Sequence, residues 1–115
     1  MFIERSRMKI FIRPGATDLR KQINGLATLV QTAMGKDPLS GNLFLFVNRE
    51  KRLMKALYWD RSGFCLWMKR LERDRFPWPK SEEAAREIDV EQLRMELAGI
   101  DFWNAHQNLT YTAVI

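Results

Sequence analysis

Cysteine is nearly absent. Cys65 stands alone, so the chain forms no internal disulfide, which fits a reducing compartment. Histidine is equally scarce: with His106 as the only one beside a single Cys, there is no zinc finger, no Cys-His dyad and no catalytic triad. Long apolar runs are missing too. Leu43–Val47 and Phe64–Met68, the longest, have five residues each, whereas a membrane-spanning helix needs about 20. The first residues lack the apolar stretch of a secretory signal. Gly35-Lys36 and Gly63 lack the flanking glycines of a phosphate-binding loop, and there are no repeats or low-complexity tracts. What remains is a soluble cytoplasmic protein of 115 residues, 46% apolar, enough for one small core.

Charge is abundant and unevenly spread. Residues 1–80 hold 17 basic and 7 acidic side chains, a net of +10; residues 81–115 hold 2 and 7, a net of −5. The break falls at Phe76-Pro-Trp-Pro-Lys80, where two prolines interrupt regular structure. The expected organisation is a basic α+β core over 1–80 and an acidic segment over 81–115. The acidic part carries a short helix that packs on or flanks the core. A basic body points to a polyanionic partner, nucleic acid first, against the plainer reading of a solvated surface that maintains solubility.

Local pattern gives the elements. Met8–Arg13 is β-branched and aromatic and stops at Pro14-Gly15, which predicts a strand. Leu19, Ile23, Leu26, Val30, Ala33 and Met34 recur at helical spacing, with Thr17 or Asp18 as the expected N-cap and Gly35 as the left-handed stop. Asn42–Val47 reads as a strand buried on both faces, and Asn48–Arg52 as a basic connection. Leu53–Trp59 and Phe64–Leu71 form a hairpin closed by Asp60–Gly63, read as a type I turn with a glycine bulge. Arg86–Ile88 is a short strand, and Asp89 caps a helix that Gly99 ends. The fold class expected is α+β. It has a mixed, largely antiparallel sheet of four or five strands, one long helix packed on it and a short C-terminal helix.

The bulged turn sets the expected pairing. Trp59 faces Cys65, Leu57 faces Trp67, Lys55 faces Lys69 and Leu53 faces Leu71, while Met54, Ala56, Tyr58, Phe64, Leu66, Met68 and Arg70 share the nearly all-apolar face toward the long helix. Two lysines directly opposed repel by up to about 1 kcal/mol, a cost that a bound phosphate would relieve. The alternative is that both stems lie over the tryptophans with their heads in water. A one-residue change of register separates the lysines altogether.

The run Gly63-Phe-Cys-Leu-Trp-Met-Lys-Arg-Leu-Glu-Arg-Asp-Arg-Phe-Pro-Trp-Pro79, preceded by Lys55–Asp60 and Asp37–Phe46, resembles one family. That family is the small accessory protein encoded beside the transposase in insertion-sequence-66 type bacterial elements, the second-reading-frame or TnpB-type product. Asp18–Ala27 is similar to its helix motif and Leu97–Asp101 to its C-terminal signature, so the likeness runs from about Ile10 to Asp101. Gln22 and Asn24 depart from the Gly and Asp of that motif, Glu50 dilutes the basic connection, and nothing beyond Asp101 has a clear counterpart. The resemblance implies an accessory role in transposition, distinct from the transposase that cuts and joins DNA.

Three functions follow for comparison. The first is nucleic-acid binding, with Lys55, Lys69, Arg70, Arg73 and Arg75 on phosphates, Arg49, Lys51 and Arg52 enlarging the patch, and Trp67 and Trp78 stacking on bases. Against it stand structural readings of both tryptophans: Trp67 covering the sheet, Trp78 pinning the chain between two prolines. The second is an adaptor that holds the transposase through Phe76, Trp78, Phe102, Trp103 and the acidic helix at Val90–Ala98. The third is a metal-dependent nuclease using carboxylates such as Asp60. Asp18, Asp37 and Asp60 have cap or turn duties, and Glu72 and Asp74 alternate with Arg73 and Arg75, so no catalytic residue, metal or cofactor is assigned.

Overall fold

In a computed structural model of the chain, which describes residues 7–80 and 85–103, seven elements follow one another. They are β1 (Ile10–Ile12), α1 (Ile23–Thr32), β2 (Leu43–Val47), β3 (Leu53–Asp60), β4 (Gly63–Arg70), β5 (Arg86–Ile88) and α2 (Val90–Leu97). The five strands form one mixed sheet in the order β4-β3-β2-β1-β5. Only β1 and β2 run parallel, because α1 connects them. The architecture is α+β, as the sequence predicts.

Period-two alternation sorts the core by side-chain shape. Phe11, Phe44, Phe46 and Leu57 point to one face and pack under Leu26, Val30 and Met34 of α1. Ile10, Ile12, Leu43, Leu45, Val47, Met54 and Ala56 point to the other, where they meet Phe76, Trp78 and Leu93 of α2. Each fully buried Phe or Leu contributes about 1.5–3 kcal/mol by leaving water. β2 is buried at all five residues, which explains its unbroken Leu-Phe-Leu-Phe-Val run. β5 pairs with β1, so the acidic part of the chain supplies one edge of the sheet.

The hairpin differs from the sequence expectation by one residue. Asp60 pairs with Gly63, Tyr58 with Cys65, Ala56 with Trp67 and Met54 with Lys69. The connection is therefore the two residues Arg61-Ser62, and the left-handed conformation sits at Arg61 (φ 53°) rather than at Gly63. Lys55 faces Met68, not Lys69, so the like-charge pair disappears. The shift also divides the apolar set. Phe64 and Leu66 pack on the α1 side, while Met54, Ala56 and Tyr58 pack on the other.

The long helix begins later than predicted. Thr17 and Asp18 do not cap it: α1 starts at Ile23 after Gln22, which makes no side-chain cap bond. Asp18 instead closes a local turn, its carboxylate accepting from the Arg20 N–H at 3.0 Å. The reason lies 36 residues away. Nζ of Lys55 donates to the carbonyls of Leu19 (2.7 Å) and Lys21 (3.0 Å), drawing that stretch onto the sheet. Arg20 and Lys21 accordingly precede the helix. At the other end Gly35 is left-handed (φ 64°), as expected.

The Asp89 cap of α2 is present, with Asp89 and Gln92 forming a reciprocal capping box. One residue of α2 is out of character. Glu96 is fully buried, with one carboxylate oxygen accepting from the Trp103 indole at 2.8 Å and the other without a partner among the described residues. Burial, only partly opposed by the indole, raises its pKa to about 8.

Candidate nucleic-acid interface

The site is built by chain connectivity at one end of the sheet. β2 ends and β3 begins there, β4 ends there, and β1, parallel to β2, delivers the residues that precede α1 to the same end. Two basic segments thus become neighbours. The first is the β2–β3 turn, fixed by the Asn48 side-chain oxygen, which accepts from the N–H groups of Arg52 (3.0 Å) and Leu53 (3.1 Å). Lys51 is left-handed within it (φ 61°). The second is the stretch after β4, turned by Asp74 (φ 63°).

Backbone bonds tie the two together. The Leu71 N–H donates to the Arg52 carbonyl at 2.8 Å, and the Phe76 N–H to the Lys51 carbonyl at 2.7 Å. Arg49, Arg52, Arg70, Arg73 and Arg75 are exposed and Lys51 is half-buried. Arg20 and Lys21 add two more exposed cations. Asp18, Glu50, Glu72 and Asp74 share the same end, so eight cations outnumber four anions.

Two of those acids are already matched. Arg20 forms a close pair with Asp18 at 2.7 Å, and this guanidinium holds the Asp18 carboxyl down to about 2. Arg70 pairs with Glu72 at 2.9 Å, and the carboxylate raises the pKa of its guanidinium. Arg49, Lys51, Arg73 and Arg75 form no ion pair among the described residues. Beside the turn, an open groove of about 530 Å³ lies between residues 16–20 and 48–50, floored by Leu19 and Leu53 and rimmed by Arg20 and Arg49. In α2, Glu91 pairs with Arg94 at 3.6 Å within the helix.

Several predicted contact residues are engaged in the fold instead. Lys55 is only 4% exposed, and its amine is taken up by the two carbonyls before α1. As placed, it cannot reach a phosphate. Trp78 is 6% exposed and donates its indole N–H to the Arg13 carbonyl at 2.7 Å, so base stacking is closed to it. Lys69 is half-buried and donates to the Leu97 carbonyl at 2.7 Å, matching a cation to the C-terminal end of α2. Trp67 is half-buried against the aliphatic side of the sheet. The four aromatics of the supposed adaptor surface are also internal, with Phe76 1% exposed, Phe102 and Trp78 buried, and Trp103 packed on the core, whereas Val90, Glu91 and Arg94 of the acidic helix are exposed.

Sequence reasoning missed Arg20 and Lys21 as members of this end, because the helix was expected to start before them. It also missed the support from α2. The Leu97 carbonyl at the end of α2 takes the Lys69 amine at 2.7 Å, so that helix end is tied to the strand leading into the basic stretch, and left-handed Gly99 follows beside Leu71. Among the described residues, no three His, Cys, Asp or Glu side chains converge to hold a metal ion, and no helix is long and apolar enough to cross a membrane.

No solved structure matches the chain. Relatives of known sequence do. The chain is 39% identical over 107 residues to uncharacterized protein y4hO of Sinorhizobium fredii (strain NBRC 101917 / NGR234), covering 93% of each chain. It is 32% identical over 95 residues to uncharacterized protein y4jC of the same organism, covering 83% of this chain and 81% of the relative. Residues 8–107, which span the whole described sheet and both helices, match the pattern of the IS66 Orf2-like proteins, and the chain belongs to that family.

Proposed function

We propose that the chain is an accessory protein of transposition that binds nucleic acid through the basic end of its sheet. Membership of the IS66 Orf2-like family associates it with an insertion sequence. The observation that carries the binding reading is the junction of two basic segments by the Lys51–Phe76 and Arg52–Leu71 backbone bonds. Fixed backbone holds Arg49, Lys51, Arg52, Arg73 and Arg75 as one group, which lowers the ordering cost of gripping a phosphate chain. Arg20 and Lys21 extend the group toward α1, and Arg70 reaches it while paired to Glu72. No base-reading residue is assigned, so phosphate contacts dominate and the preference among sequences is weak.

Salt-titrated binding to the element's ends, random duplex and single strand tests this reading. Affinity falls steeply with added salt if phosphates are neutralised. Binding that ignores salt between low and physiological ionic strength sinks it. The adaptor alternative predicts that the transposase stays bound during purification after nuclease treatment, while salt-dependent binding to nucleic acid is absent.

A further inference from the structure

β4 is the outer strand of the sheet, and among the described residues nothing pairs with its free side. Proteins usually protect such edges with short strands, charge, proline or a bulge. The opposite edge, β5, follows that practice: it is three residues long and carries the exposed Arg86 and Glu87. β4 does not. It runs for eight residues without proline, and Phe64-Cys-Leu-Trp-Met68 holds no charge. Met68 is 58% exposed.

Which backbone groups are free follows from the register. In an antiparallel pair, residues alternately bond to their neighbour and turn their N–H and C=O away. The Leu71 N–H bonds to the Arg52 carbonyl, so the odd-numbered residues Lys69, Trp67 and Cys65 continue the bonded series opposite Met54, Ala56 and Tyr58. The even-numbered Phe64, Leu66, Met68 and Arg70 therefore direct their N–H and C=O groups to the open edge.

We infer that β4 pairs antiparallel with β4 of a second copy of this chain, joining two five-stranded sheets into one across a two-fold axis at Trp67. This centre uses every outward group of the strand. Leu66 then lies opposite Met68 of the second copy and Phe64 opposite Arg70, covering the exposed Met68. It also suits the charges. Lys69 meets Cys65 rather than its own symmetry mate, so no two cations within the strand stand directly opposed. A centre at Leu66 or Met68 leaves outward groups unpaired at one end. The basic ends of the two copies then lie at opposite ends of the joined sheet, and of the basic group only Arg70 enters the pairing.

Sedimentation of the full chain without nucleic acid, combined with amide exchange followed by NMR, tests the inference. A species of twice the chain mass forms as concentration rises, and the amides of Leu66 and Met68 become protected with it. Met68→Pro removes one outward N–H without emptying the core and returns the chain to the monomer. If that variant fails to fold by circular dichroism, Met68→Lys serves, weakening self-association by about tenfold or more. A monomer at every concentration with fast exchange at these amides overturns the pairing. So does a dimer whose Leu66 and Met68 amides stay unprotected, or protection that appears only when a different protein is added.

Discussion

Nζ of Lys55 lies 2.7 Å from the carbonyl oxygen of Leu19, inside the protein and beneath the residues that lead into α1. A side chain of the type that grips phosphate here fastens backbone. Lys55→Met leaves the Leu19 and Lys21 carbonyls without that donor, at a cost of about 1.5–3 kcal/mol. Urea denaturation measures the loss. The salt dependence of nucleic-acid binding is expected to stay the same in this variant, and a shallower slope would return Lys55 to the interface.

Trp78→Phe keeps most of the buried ring and deletes the indole bond to the Arg13 carbonyl. An unsatisfied buried carbonyl costs about 1–3 kcal/mol. The midpoint of denaturation drops accordingly while affinity for single-stranded nucleic acid is retained. Loss of affinity at unchanged stability would show that the ring stacks on bases.

Arg49→Ala, Arg73→Ala and Arg75→Ala act on the exposed cations and leave stability within about 0.5 kcal/mol. Each is expected to shrink the slope of log affinity against log salt by about one and to weaken binding alike for all sequences. Binding measured over a salt series separates these variants from Lys55→Met.

Glu96 makes stability depend on pH. Its folded pKa of about 8 lies above the ordinary carboxylate value, so the folded chain retains a proton that the unfolded chain releases. Its contribution is complete below the unfolded pKa and declines as pH rises toward about 8, by about 1.4 kcal/mol per pH unit for one proton. Glu96→Gln is expected to flatten that decline. Thermal melts of both forms between acidic and mildly alkaline pH decide the matter.

How far the sequence discloses the fold depends on how far apart the deciding partners lie. The buried run of β2, the strand at Arg86–Ile88, the Asp89 cap and the glycine stop after α1 all rest on neighbours within a few residues, and all are legible. The start of α1 is not, because Lys55 decides it from 36 residues away. The hairpin register is a near-tie between a bulged loop and the two-residue turn at Arg61-Ser62, and burial on both faces of the sheet breaks it. For the basic end, the composition of the loops is readable, whereas their junction through Lys51 and Phe76 is not. Residue type alone could not separate lysines and tryptophans held within the fold from arginines left in water.

The pairing of β5 with β1 carries a consequence for biosynthesis. β1 is translated long before its outer neighbour, which arrives only at residues 86–88. A product cut short near the proline break therefore bares Ile10 and Ile12 along a raw strand margin, ready to aggregate or be degraded. Sealing of this margin is thus left to β5, and a ribosome must read past residue 88 before the chain can cover β1.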